Sequence, residues 1–383
     1  MRQASVAQDF VSRTIALESA DSNAGLVTRK MRVASKAARA TATVTVVIPC
    51  FNYARYLPQA VQSALSQSVA QVNVIIVDDK STDDSLAVAE RLAAQDDRVT
   101  VIAHRANKGP VDTFNDGLAV ADGEFVVRLD ADDLLTPGSL QRALAVMQQF
   151  PSVGLVYGHP LHFQGDTLPG HRDTATGWTV WPGRKWLEAR CRDGFNVITS
   201  PEVLMRRSVV DQVGGQMQLA HTHDMEMWLR MSAFCDVAYI HGADQAWHRE
   251  HARSLSAREV TTMRDLAERR DAFETLFSGK AATIPQAEAL HALAKLALAK
   301  YAVVVAAIHF DKSLSDRAGI EQLRDFARSL VSDPRTVPGW ASLDRRLATT
   351  AAARRHPLIL AQRVLRGLRL RYSFWKWHRT GEY

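Results

Sequence analysis

The chain has 383 residues, of which 46% are apolar and 23% charged, globular proportions that exclude wholesale disorder. Its net charge of +6 resides in the ends: residues 354–383 carry +7 and residues 1–40 carry +4, while residues 41–353 carry −5, the reverse of what a nucleic-acid-binding core would show. Three cysteines, Cys50, Cys191 and Cys235, lie far apart without CxxC or Cys/His spacing, which argues against a zinc site or a disulfide framework and fits a reducing, cytoplasmic compartment.

Residues 1–42 are polar, and a loosely ordered extension without a secretory signal is expected there. From residue 43 the texture changes. The β-branched runs at 44–49, 72–77, 98–104, 124–130 and 153–158 predict strands covered on both faces. Between them, residues 56–67, 83–95, 109–123 and 138–150 have helical periodicity, with Pro58 placed in a first turn. Strand–helix alternation of this kind predicts a mostly parallel, doubly wound α/β sheet that binds its ligand at the carboxyl ends of the strands. No GxGxxG or GxxxxGK[ST] loop is present to hold phosphates. Residues 160–200, rich in Gly, Pro and Trp, predict an irregular loop region closing over a cleft. Beyond residue 260 strand signals vanish, and residues 258–277 and 285–310 predict helices. The apolar run at 301–310 is too short to span a bilayer and predicts a buried helix. Three regions are expected: 1–42 as an extension, 43–260 as a catalytic domain, and 261–383 as a helical accessory region.

The stretch "EFVVRLDADDLL" at 124–135 runs a strand into three carboxylates, Asp130, Asp132 and Asp133. Like charges so crowded need solvent, donors or a cation for compensation. In an extended segment Asp130 and Asp132 project to one side, roughly 6.5 Å apart. Such a pair can grip a hard divalent cation, and that ion can neutralise a diphosphate in the absence of a glycine loop. A DxD alone is a weak signal.

Four ordered blocks accompany it: "VVIPCFNYARYLPQAVQSALSQ", "VIIVDDKSTDDS", "NKGPVDTFNDGLAVADGEFVVRLDADD" and "HDMEMWLRMS". Together they resemble the family 2 glycosyltransferases, inverting enzymes of the GT-A fold, over residues 43–256. The resemblance implies a Rossmann-like, mostly parallel sheet flanked by helices, with a helical C-terminal region outside it. It also implies a nucleotide-sugar donor, expected to be UDP-linked, and a Mn2+ or Mg2+ cofactor. Pro49, Phe51 and Asn52 would begin the nucleotide pocket, and Asp79 or Asp78 would read the base. Lys108 and Gly109 would approach the nucleotide, and Asp130 would contact ribose and sugar. Asp132 would bind the metal, with Asp133 behind it. In the closing segment "HREHARSLS" (248–256), His251 would sit by the metal or diphosphate and Arg249 would serve as counter-charge. Asp224 would be the catalytic base, removing a proton from an acceptor hydroxyl. Three positions depart from the family's pattern: Lys80 for Gly, Phe114 for Arg, and His223 for the Glu before the base.

The implied acceptor is a glycan or a lipid-linked molecule in cell-surface polysaccharide synthesis. A polyprenyl-phosphate acceptor and a catalytically silent nucleotide-sugar-binding module are the alternatives. The tail, residues 356–383, interleaves Arg with Leu, Tyr372, Phe374, Trp375 and Trp377. It suits an anionic membrane surface, packing on its own domain, or, less well, a nucleic acid. A cytoplasmic protein peripheral to the inner face of the membrane is the resulting expectation.

Overall fold

The computed structural model describes residues 28–32, 42–68, 71–251, 261–312, 317–348 and 357–381. The sequence expectations for residues 1–27, 33–41 and 252–260 lie outside these.

Among the described residues ten strands build one sheet: β1 (Arg29–Arg32), β2 (Thr43–Cys50), β3 (Gln71–Asp78), β4 (Val99–Ala103), β5 (Phe125–Arg128), β6 (Leu134–Leu135), β7 (Val153–Phe163), β8 (Gly177–Trp181), β9 (Leu204–Arg206) and β10 (Asp236–Arg249). Their order is β1-β8-β10-β7-β9-β5-β2-β3-β4, with β6 pairing β10 off this path. The pairs β2/β3, β2/β5, β3/β4 and β7/β10 are parallel. Strand β9 runs antiparallel to both β5 and β7, so those two also share a direction. The carboxyl ends of β2, β3, β5, β7 and β10 therefore open on one edge.

The helices are α1 (Leu57–Leu65), α2 (Ser85–Gln95), α3 (Pro110–Val120), α4 (Ser139–Gln149), α5 (Gly183–Asp193), α6 (Arg207–Val213), α7 (His223–Ser232), α8 (Thr262–Ser278), α9 (Ala287–Lys312), α10 (Arg317–Leu330), α11 (Trp340–Leu347) and α12 (Pro357–Thr380). The central strands are apolar at nearly every position because both faces are covered. In β2, Val44, Val46 and Ile48 pack against α1, α2 and α4, while Val47 turns to α3 and the later helices. Side chains alternate across a strand, so one β-branched run feeds two cores. Helix α3 lies so close to the sheet that a Cβ on Gly117 would come within 2.5 Å of Val47 and 2.9 Å of Val77.

The segment 160–200 is more ordered than its composition suggests. Strand β7 runs on to Phe163, and β8 and α5 fill much of the remainder. Trp178, Trp181 and Trp186 are buried core residues, each meeting aromatic or apolar neighbours from elsewhere in the chain. Residues Arg29–Arg32, within the stretch expected to be loosely ordered, pair with β8 as an edge strand.

Helix α9 extends well beyond its apolar run. By length and composition alone it could cross a bilayer. Here Leu290, Ala294, Leu298, Val303 and Phe310 are buried in the core shared with α5, α8, α10 and α11. The last turn of α12 docks beside β7 and the segment after α5: Trp377 is buried, its Nε1 donates to Val197 O at 3.1 Å, and Tyr157 Oη donates to Gly381 O at 3.0 Å.

Candidate active site

The loop after β2 and the loop after β3 are clasped together. Asn52 adopts φ +62°, and its Oδ1 accepts from Thr82 N (2.7 Å) and Thr82 Oγ1 (3.1 Å). Its own N donates to Ser81 Oγ at 3.0 Å. Asn52 thus shapes the loop and leaves Phe51, 43% exposed, on the open side. Lys80, where the family's pattern has Gly, also has φ +60°. The left-handed backbone is retained without the residue that most readily adopts it.

The two aspartates at the end of β3 have different surroundings. Asp79 is buried and saturated: Oδ1 accepts from Lys108 N (2.8 Å) and faces His104 Nδ1 (2.8 Å), and Oδ2 accepts from Gly109 N (2.9 Å). Gly109 precedes α3 with φ +85° and offers no side chain, so Asp79 caps that helix from across the fold. Lys108 turns its Nζ outward to Asp116 at 2.6 Å. Asp78 uses Oδ2 to accept from Ser81 N (3.1 Å), while its buried Oδ1 has no partner among the described residues.

After β5 the chain bends. Asp133 N donates to Asp130 O at 3.0 Å, so the three acids lie on a turn and not on the extended segment expected from the sequence. The bend arises because Asp133 faces β10, where Oδ1 accepts from Arg249 N (2.8 Å) and Oδ2 meets His248 Nδ1 (3.0 Å). Burial opposes charge on His248, but the Asp133 carboxylate outweighs it and raises the imidazole to about 9. Asp130 pairs with Arg128 Nη2 at 2.8 Å, and Arg128 lies over the Phe114 ring at 6.0 Å. A buried arginine on the strand thus reaches the position where Phe114 replaced one.

Asp132 is buried, with Oδ2 2.8 Å from His251 Nε2. Burial and the charges of Asp133 and Asp130 push its carboxyl well above the usual carboxylate range. Tyr53 meets the His251 ring edge-on and Tyr56 stacks on it, each centroid 5.9 Å away, which joins the β2 loop to this corner. Arg249 does not serve as a counter-charge in the crevice. It is fully buried between Tyr56 (4.4 Å) and Phe163 (4.5 Å), and its Nε donates to Asp132 O.

Asp224 is the second residue of α7, and Thr222 occupies the N-cap position. The Asp224 carboxylate is half-buried and accepts from Ser200 Oγ at 2.9 Å. Ser200 has φ +118°, a strained backbone for a residue with a side chain. Glu202 holds it there by accepting from Thr199 N (2.6 Å) and Ser200 N (3.1 Å), and burial pushes the Glu202 carboxyl up to about 7. Next to Asp224, His223 is buried. Burial and the Arg128 guanidinium hold its imidazole below the ordinary value, opposed by Asp224 and Asp130. The charges of Asp130, Arg128 and Asp224, far apart in sequence, thus all act on His223. The sequence reading missed Arg128, Ser200, Glu202 and His248. Only Arg128, a charge inside an apolar strand, carried a visible signal.

Among the described residues no group of three or more His, Cys, Asp or Glu side chains converges as a complete metal cage. The donor set does fit an ion that draws the rest of its shell from water and phosphate: one carboxylate short of compensation and one imidazole, adjacent at 2.8 Å.

Residues 45–214 match the family model described as glycosyl transferase family 2. An uncharacterized glycosyltransferase of Nostoc sp. is 43% identical over 115 residues, 30% of this chain and 35% of that protein. A chondroitin synthase of Escherichia coli is 25% identical over 206 residues, 53% of this chain and 28% of that one. The matched stretches thus span about a third of these relatives' lengths. Among solved structures, S. aureus TarS 1–349 in complex with UDP-GlcNAc superposes with a TM-score of 0.55 at 15% identity, covering 79% of this chain and 88% of that one, a likeness of fold. The match to glycosyl transferase family 2 thus covers residues 45–214, which hold most of β2, strands β3 to β9 and the acidic turn after β5.

Proposed function

We propose that the protein transfers a sugar from a UDP-linked donor to a hydroxyl of a glycan or lipid-linked acceptor, by a single displacement with inversion. The observation that carries this reading is the pair of supported carboxylates, Asp130 held by Arg128 after β5 and Asp224 held by Ser200 at the start of α7, whose charges both act on His223. Phe51 offers an exposed ring to the base, and Asp78 Oδ1 is a buried acceptor that a base N–H would satisfy. Asp130, steadied by Arg128, contacts the ribose and sugar hydroxyls. Ser200 orients Asp224, which takes the proton of the attacking hydroxyl. A Mn2+ or Mg2+ ion held by Asp132 and His251 would offset the charge of the departing diphosphate. Arg128 adds a fixed positive charge beside the same centre.

The test is transfer from a panel of UDP- and GDP-sugars with and without Mn2+, by wild type and Asp224→Asn. Wild type should turn over UDP-sugars only with the ion. Asp224→Asn should bind donor normally and lose roughly 10²–10⁴-fold in kcat. Undiminished turnover by Asp224→Asn would remove the base and favour an acceptor that is already ionised, such as a lipid phosphate.

A further inference from the structure

Much of the described part of α12 is exposed. Its last turn is anchored through Trp377 and Gly381, yet Val364, Leu365, Leu368, Tyr372 and Trp375 are between 50% and 62% exposed. Residues at these three- and four-residue spacings share one face of a helix. Tyr372 and Trp375 stack on each other at 5.7 Å, and Arg379 lies over the Trp375 ring at 4.7 Å, so the aromatic end of the stripe is framed by a cation. Arg369 and Arg371 are exposed at its flanks, and Arg363 is exposed nearer the start of the same helix. The helix carries six Lys or Arg (Arg363, Arg366, Arg369, Arg371, Lys376, Arg379) and no Asp or Glu.

We infer that α12 is an interfacial helix that lays this stripe on an anionic lipid bilayer. A patch of exposed Leu, Val, Tyr and Trp needs an apolar partner, and a helix with no acid needs an anionic one. A bilayer with acidic headgroups supplies both. A second copy of the chain would set two basic helices side by side without a carboxylate between them. A nucleic acid would neutralise the arginines and leave the leucines and valine in water.

The surface continues past the helix. At its docked end a cleft of about 500 Å³ is lined by Lys30, Arg172, His241 and Arg379, with Trp178 and Tyr239, and no carboxylate is among the described residues that line it. Arg172 is itself paired with Asp244. The anchor bears on catalysis through Val197, which accepts from Trp377 three residues before Ser200 holds Asp224. A bilayer under α12 would thus lie at a fixed position relative to the segment that supports the proposed base.

The test is co-sedimentation of the full chain with vesicles of phosphatidylcholine alone and of phosphatidylcholine mixed equally with phosphatidylglycerol. Two variants accompany wild type: Leu365→Ser/Leu368→Ser/Tyr372→Ser/Trp375→Ser, and Arg363→Glu/Arg369→Glu/Arg371→Glu. Wild type should bind the mixed vesicles, weaken steeply with salt, and hardly bind phosphatidylcholine. The charge variant should lose roughly fivefold for each arginine removed, and more for the reversal. The apolar variant should lose binding even at low salt, with Tm unchanged because the substituted groups are exposed. Equal sedimentation of wild type and the apolar variant would overturn the inference. So would a wild-type dimer that the apolar variant dissolves, or a preference for duplex DNA over the mixed vesicles. None of these readings depends on sugar transfer.

Discussion

Asp79→Ala separates architecture from recognition at the end of β3. The carboxylate satisfies two backbone donors, Lys108 N and Gly109 N, and the His104 ring, with only 2% of the residue exposed. A buried donor left without a partner costs about 1–3 kcal/mol. Water can reach Lys108, which is exposed, and Gly109, which is part-buried, so the three losses should sum to roughly 3–5 kcal/mol. At about 2–4 °C per kcal/mol this lowers Tm by on the order of 10 °C. The start of α3 should also fray, since Gly109 provides no cap of its own. Asp78→Asn should behave in the opposite way, with a small change in Tm and weakened UDP binding, because Asp78 Oδ1 has no protein partner among the described residues. Differential scanning calorimetry and UDP titration on both variants provide the assay. Wild-type Tm with selective loss of UDP affinity in Asp79→Ala, and normal UDP binding by Asp78→Asn, would show that Asp79 reads the base and that the capping argument is wrong.

Three further outcomes are expected. Asp132→Ala should abolish the rise in Tm that Mn2+ produces in wild type with UDP present, since ligand binding to the folded state is what raises it; an equal rise in both would refute the metal assignment. Glu226→Ala should cost about 3–5 kcal/mol in denaturant unfolding, because it leaves the fully buried Arg230, bonded also to Val213 O, Gly214 O and Gly215 O, without its carboxylate. Glu202, an acid whose folded value is raised from 4.5 to about 7, binds its proton more tightly when folded; its contribution is intact below pH 4.5 and lost as pH rises toward 7, by up to about 3 kcal/mol, and Glu202→Gln should flatten that stretch of the stability–pH curve.

The parallel part of this mixed sheet, β2 to β5, was legible because strands buried on both faces leave continuous β-branched runs, as in "VTVVIP" and "VNVIIV". The acidic turn and Asp224 stood out through ordered blocks. What the sequence could not show was pairing between distant residues. His248 and Asp133 lie 115 positions apart, and only the antiparallel contact of β6 with β10 brings that strand end to the turn. Ser200 and Glu202 sit in a stretch whose local composition reads as loop. Their relation to Asp224 depends on how α7 docks, and nothing in either segment records it. Trp181 and Trp186 misled for a similar reason: an aromatic beside Gly and Pro reads as a cleft wall until the element it belongs to is known to be internal.

The crowding of acids after β5 resolves unevenly, and that unevenness locates the chemistry. Asp133 is offset by a backbone donor and an imidazole raised to about 9. Asp130 is offset by Arg128. Asp132, between them, has His251 beside it, yet its carboxyl remains well above the usual range under burial and the pull of both neighbours. Had the turn evolved only to close a strand, an uncharged residue at 132 would remove that cost. The fold thus offsets the two outer carboxylates and leaves the middle one with less compensating charge. On the proposed reading a divalent ion at Asp132 and His251 would supply that charge, and a diphosphate beside Arg128 would contribute to its shell.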